Sequence, residues 1–179
     1  MRLPVGDLEE TLARVTVPLS LELEPVTHGG DEVHFPGRFT GEAMAINTGE
    51  AIMVDLNLAG EAELHCGRCL KAFRLPLRVR ATEEFRRGTP PPGTEPGELQ
   101  EDDGETFAYY DGDSIELADT IRQDVILELP LRPLCSPDCK GLCVHCGHDL
   151  NEGPCGCAEA PSDPRFEALK HFVPKKDEV

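Results

Sequence analysis

The sequence predicts an α+β fold: an antiparallel sheet with a packed helix and a C-terminal cysteine-rich, zinc-stapled segment. Three observations predict it. Apolar residues alternate with polar ones through much of the first eighty positions, one later stretch spaces them three to four apart, and eight cysteines fall at paired spacings, six of them between Cys135 and Cys157. A chain of 179 residues suits one domain, or one domain with a small appendage.

The first half reads as strands. Val15, Val17, Leu19, Leu21 and Leu23 alternate with Thr16, Pro18, Ser20 and Glu22, which gives one buried and one wet face. Pro18 cannot donate to a ladder and places this strand at an edge. A second strand runs from about Val33 to Ile46, broken at Pro36 and Gly37, with a turn at Asn47, Thr48 and Gly49. Ile52, Val54, Leu56 and Leu58 keep one phase past Gly60 into Ala62 and Leu64. After Cys66-Gly67-Arg68-Cys69 the alternation resumes at Phe73, Leu75, Leu77 and Val79. This predicts an antiparallel hairpin whose turn is the CxxC.

Four regions follow: 1–87, an N-terminal β region with the CxxC hairpin; 88–105, an acidic Pro/Gly-rich linker loop without apolar period; 106–133, a helix packed on the sheet; and 134–179, the cysteine-rich segment and a short closing helix. Asp113 with Glu116 has the spacing of a capping box, and Ile115, Ala118, Ile121, Val125 and Leu129 recur at helical spacing up to Pro130. Asp163 and Pro164 open the last helix, with Phe166, Leu169 and Phe172 on it.

The eight cysteines are Cys66, Cys69, Cys135, Cys139, Cys143, Cys146, Cys155 and Cys157. The absence of an apolar leader or spanning segment makes a cytoplasmic location and no membrane contact the expectation. In a reducing compartment clustered thiols read as metal ligands, and eight make two tetrahedral sets. The local pairing joins Cys143 and Cys146 to Cys155 and Cys157, and closes Cys135 and Cys139 on Cys66 and Cys69. One C-terminal zinc with spare thiols, crossed pairings, or sets using His145 or His148 are the other readings. Gly147 follows the second CxxC, as a zinc knuckle prefers, whereas Leu70 stands at the equivalent place in the first. A closed four-thiolate site is a staple and not a catalyst.

The formal charge of −17 disfavours contact with nucleic acid over the whole surface. It is uneven, however. From Cys66 to Arg80 the chain carries Arg68, Lys71, Arg74, Arg78 and Arg80 with no acid, whereas Glu95 to Glu128 holds twelve acids against Arg122 alone. Strand parity puts Arg74, Arg78 and Arg80 on one solvent face. These arginines either pair with Glu61, Glu63, Glu22 or Glu24, or, together with Arg68 and Lys71 beside them at the knuckle, hold RNA phosphate. Few aromatic side chains accompany them, so base-specific reading is not expected. There is no Gly-rich phosphate loop, HExxH or GxSxG, and Asp111, Asp113, Asp119 and Asp124 read as turn, cap and wet helix face. A non-enzymatic protein is expected, with a zinc- or thiol-dependent enzyme as the least favoured class.

The CGRCL element at Cys66–Leu70, the helix ending at Leu129-Pro130, the run LCSPDCKGLCVHCGHDLNEGPCGC from Leu134 to Cys157, and DPRFEAL from Asp163 to Leu169 resemble the YceD family of large ribosomal RNA subunit accumulation proteins. The resemblance implies a role in accumulating 23S ribosomal RNA, with a 23S rRNA precursor or large-subunit assembly intermediate as partner. A basic ribosomal protein, received by the acidic helix and linker, is the alternative partner.

Overall fold

Period-2 alternation gives strands here because it lets a pleated segment bury one face. The computed structural model describes residues 1–94, 98–102, 104–157 and 165. In chain order the elements are β1 (Arg2–Pro4), β2 (Arg14–Leu21), β3 (Val26–His28), β4 (Asp31–Val33), β5 (Phe39–Asn47), β6 (Ile52–His65), β7 (Ala72–Arg87), β8 (Leu99–Asp102), β9 (Glu105–Tyr110), β10 (Ser114–Glu116) and α1 (Ala118–Leu127).

The main sheet has the order β2-β5-β6-β7-β9-β8, and β1–β10 and β3–β4 form two small ribbons. β2 lies at the edge, where Pro18 sits opposite Glu42. The turn from β5 to β6 is closed by Asn47, whose Oδ1 accepts the Gly49 N–H at 2.8 Å while Gly49 takes φ +98°. β6 and β7 pair along their length from Ile52↔Phe85 to His65↔Ala72, so the CxxC is the hairpin turn. Gly60 in β6 is required by packing: a Cβ there would lie 2.6 Å from the Phe39 ring.

The inward phase of the hairpin supplies Val54, Leu56, Leu58, Ala62 and Leu64 from β6 and Leu77, Val79 and Phe85 from β7. α1 packs beside β7 and adds Ile121 and Val125 to the same core, and Leu129 follows just after it. The chain divides into two units, Met1–Cys139 and Lys140–Val179. The second, over its described residues, is a run of tight turns with a bridge between Leu142 and Asp149.

Several expectations need correction. The sheet is mixed and not wholly antiparallel, because Glu84–Arg87 of β7 runs parallel to Phe107–Tyr110 of β9. Strands dominate, and α1 is the one α-helix among the described residues. The Asp113–Glu116 capping box does not form. Ser114–Glu116 pairs with Arg2–Pro4 instead, and Leu117, the residue before the helix, makes no side-chain cap. Ile115 is therefore buried by strand pairing, and Glu116 binds the Met1 ammonium group and Arg2. Within 88–105, expected to lack regular structure, Leu99–Asp102 forms the edge strand β8. Its ladder uses backbone groups, which apolar periodicity does not report. The closing helix expected from Asp163 lies outside the described residues except for Arg165.

Candidate functional site

The β6–β7 turn is a metal knuckle in its backbone. Leu70 N–H donates to the Cys66 carbonyl at 2.9 Å, and Arg68 N–H points at Cys66 Sγ at 3.4 Å. The second CxxC repeats this: Gly147 N–H donates to the Cys143 carbonyl at 2.9 Å, and His145 N–H points at Cys143 Sγ at 3.4 Å. Gly147 takes φ +72°, and Leu70, with no glycine to ease the turn, is held at φ +59° with its side chain 64% exposed.

The structure brings the eight thiols into two sets, Cys66–Cys69–Cys135–Cys139 and Cys143–Cys146–Cys155–Cys157, with the sulfurs of each set within 4.8 Å of one another. His145 and His148 belong to neither set, so the crossed and histidine-containing readings fall away. In the first set Cys66 Sγ lies 3.7 Å from Cys139 Sγ, and Cys69 Sγ 3.7 Å from Cys135 Sγ. A disulfide would bring sulfurs to about 2.05 Å. Four sulfurs about 2.3 Å from one ion stand about 3.8 Å apart, so the observed spacing is that of a tetrahedral thiolate cage. Both sets can hold a metal ion.

Electrostatics agrees with that fit. Burial pushes the Cys66 thiol up, but the backbone N–H groups of Cys135, Cys69 and Arg68 outweigh it and bring it down to about 6. The Cys146 and His145 backbone N–H groups, helped by the Cys155 side chain, bring Cys143 down to about 6. Burial and the facing Cys69 push Cys135 up to about 12, and the Cys146 side chain with burial does the same to Cys157. Each set thus pairs one thiol brought low with one pushed high, and a bound cation would favour the ionised form of both.

The first set joins the hairpin tip to the segment after α1. Gly67 N–H donates to the Pro133 carbonyl at 2.8 Å, and Arg68 Nη1 donates to the Cys139 carbonyl at 2.7 Å. Arg68 is therefore committed to the cage wall. Within the second unit, Asn151 Oδ1 accepts the Lys140 N–H at 2.8 Å and Asp149 Oδ1 accepts the Asn151 N–H at 2.9 Å, which closes the loop carrying Cys143 and Cys146.

The arginine stripe resolves into members with different duties. Arg74 stands across from Glu63 and reaches Glu61 at 3.8 Å and Glu63 at 4.0 Å, so it is loosely paired on its own sheet. Arg78 and Arg80 share its exposed face and make no ion pair among the described residues. Lys71 is exposed at the base of the knuckle and takes part in an interaction of its own. From Ala72 to Glu83, β7 has no strand on its far side among the described elements. Pro76 and the arginines stand on that open stretch, the residue types that keep an edge from pairing with another chain.

Two features escaped sequence reasoning. Asp124, expected on the wet helix face, is 6% exposed and faces Glu83, an acid in the inward phase of β7. The inward phase of Glu83 was visible in the strand parity, but the helix face that meets it was not. The other is a polar hollow of about 440 Å³ near the β5–β6 turn, lined in part by Glu9, Glu50, Asp113, Arg87 and Tyr110. Its lining comes from four chain segments far apart in sequence. No catalytic constellation occurs among the described residues around either.

No helix among the described residues is long and apolar enough to cross a membrane. No solved structure matches the chain. Uncharacterized proteins of Mycobacterium tuberculosis and Mycobacterium bovis are 34% identical over 161 residues, covering 82% of this chain and 74% of each relative. The large ribosomal RNA subunit accumulation protein YCED homolog 1, chloroplastic, of Arabidopsis thaliana is 34% identical over 55 residues, 31% of this chain and 17% of that protein. The family described as large ribosomal RNA subunit accumulation protein YceD matches residues 54–173, which takes in most of the β6–β7 hairpin, α1 and all eight cysteines. With the hairpin tip, the helix and both cysteine sets inside that match, the chain belongs to the YceD family.

Proposed function

We propose that this chain is a non-enzymatic cytoplasmic factor that supports 23S ribosomal RNA accumulation and large-subunit assembly, docking on RNA of the precursor particle through the outer face of the β6–β7 hairpin. The observation that carries the reading is the pair Arg78 and Arg80, exposed and without ion-pair partners among the described residues, on an arm secured at one end by the core and at the other by the Cys66 set. Successive same-face residues on a strand stand about 6.6–6.8 Å apart, a spacing that offers two fixed cations to a phosphate chain. Arg74 joins them when its weak pairing with Glu61 and Glu63 gives way. Family membership supports the ribosomal RNA link.

The ion that suits both sets is zinc, which takes four thiolates tetrahedrally and carries no redox chemistry of its own. A closed set leaves no position for water or substrate, so its contribution is shape. In the test, Arg78→Glu with Arg80→Glu abolishes co-sedimentation with large-subunit precursors while the fold and metal content stay as in the parent. Unchanged sedimentation sinks the reading.

The hollow lined by Glu9, Glu50 and Asp113 favours a second reading, an acidic adaptor that receives a basic ribosomal protein. Capture of ribosomal proteins that survives Glu9→Lys, Glu50→Lys and Asp113→Lys together rules this one out.

A further inference from the structure

The two cysteine sets have the same donors and opposite settings. In the first, Cys66, Cys69 and Cys139 are 0%, 4% and 3% exposed, and the knuckle ends a fourteen-residue strand whose neighbours form the apolar core. In the second, Cys146 and Cys157 are exposed and Cys143 and Cys155 half-buried. None of the described residues from 140 to 157 belongs to the buried apolar core, and Val144 at the knuckle tip is 91% exposed. A segment without a share in that core has little besides its ligand set to oppose chain entropy, so its order depends on those four sulfurs staying together.

We propose that Cys146 is a peroxide-modification site: oxidation of the Cys143–Cys146–Cys155–Cys157 set to a disulfide releases its metal and unfolds the 140–157 segment, while the Cys66 set stays loaded. This rests on the metal reading given above. An exposed cysteine sulfur with a second sulfur close by is the arrangement in which peroxide oxidation proceeds to a disulfide. Cys146 Sγ attacks one oxygen of hydrogen peroxide, forming an S–O bond as the O–O bond breaks, and hydroxide leaves. The resulting sulfenic acid has the other three sulfurs within 4.8 Å. Attack by a neighbouring thiolate of the metal-loaded set forms the S–S bond and expels a second hydroxide. Two electrons pass from the sulfurs to the peroxide, and the remaining two thiolates are too few to retain a tetrahedral ion. Cys135 of the first set is also exposed, but its three companions are buried and fixed by the hairpin ladder and the Arg68 contact to the Cys139 carbonyl. A sulfur there cannot turn toward a new partner without opening the core.

The experiment uses the full chain, purified with zinc and assayed first for metal content. Hydrogen peroxide is then added in limiting amounts. Metal release is followed with a chromogenic chelator, disulfides are mapped by peptide mass spectrometry, and backbone hydrogen exchange is compared by segment. The first equivalent of zinc is expected to leave about tenfold faster than the second, with a disulfide between Cys146 and another member of its set, faster exchange confined to the second unit, and recovery on adding a thiol reductant and zinc. Simultaneous loss of both equivalents, or first oxidation at Cys135, overturns the proposal. Cys146→His keeps a metal-binding donor while removing the attacking thiol, and an unchanged first release in that variant also overturns it. A chain that purifies with fewer than two equivalents defeats the metal reading itself and the proposal with it.

Discussion

Replacing Asp124 by asparagine should stabilise the protein, and more so as pH rises. Asp124 is 6% exposed, its Oδ2 is buried without a hydrogen-bond partner among the described residues, and Glu83 faces it from β7. Burial first, then the Glu83 charge and hydrogen bond, then Glu128 beyond the end of its helix, push its carboxyl up to about 7. Burial also raises Glu83, and the hydrogen bond from Asp124 tempers that rise. A carboxyl whose native pKa exceeds its unfolded value binds more protons folded than unfolded. Stability therefore falls as pH climbs from about 4 to about 7, and the full penalty is present above that. A rise of that size sets an upper bound of about 4 kcal/mol, at about 1.4 kcal/mol per pH unit. The asparagine of Asp124→Asn offers an N–H to Glu83 and no charge, so its gain over the parent should grow by about 2 kcal/mol between about pH 5.5 and about pH 8, the part of the window still untitrated at the lower value. Urea unfolding of the chain at the two pH values measures this. A gain equal at both, or a loss at the higher pH, refutes the reasoning that the buried Asp124 charge facing Glu83 destabilises the fold.

Other substitutions test the metal sites and the packing. Leu70→Gly removes about 1 kcal/mol of left-handed backbone strain at φ +59°, and a chelator competition should show about fivefold tighter metal binding at the Cys66 set. Cys66→Ala should cost one metal equivalent and lower the main unfolding transition, whereas Cys143→Ala should cost one equivalent and leave that transition within about 0.5 kcal/mol of the parent, as followed by calorimetry and metal analysis. Gly60→Ala drives a methyl to 2.6 Å from the Phe39 ring and should cost about 2–3 kcal/mol in urea unfolding. Gly67→Ala meets nothing nearer than the Pro133 carbonyl at 3.6 Å and should be near neutral by the same measurement.

The β6–β7 hairpin and its register were legible in the sequence because both arms bury one face, and a one-residue slip would reverse every side chain. The grouping of the eight cysteines was legible from spacing for Cys143, Cys146, Cys155 and Cys157, which lie close along the chain. For Cys66, Cys69, Cys135 and Cys139 it followed only once the local set had been taken out. Pairings that run through backbone groups were not legible. Ser114–Glu116 carries a helix-start pattern but meets Arg2–Pro4, more than a hundred residues distant, and the ladder wins over the cap. β8 has one large apolar residue, Leu99, and joins the sheet through its backbone. Charge was legible as a stripe and not as a set of roles. Arg68 serves the Cys139 carbonyl, Arg74 leans on Glu61 and Glu63, and the sequence marks no difference between them and Arg78 or Arg80.

The two cages close over very different stretches of chain, and this sets the order in which they can fill. In the first, the facing sulfurs of Cys69 and Cys135 are 66 positions apart and those of Cys66 and Cys139 are 73 apart. Gathering them requires the hairpin, β9 and α1 to be in place, a loop closure whose entropic cost grows with length. The second cage draws all its ligands from residues 143–157 and can assemble around an ion as soon as that stretch is free to turn. During synthesis Cys66 and Cys69 emerge first yet wait longest for their partners, so the nascent chain carries them as an open two-thiol site until Cys139 has arrived. Metal scarcity during growth would then leave its mark on the hairpin end of the molecule, and scarcity or oxidation after folding on the other cage.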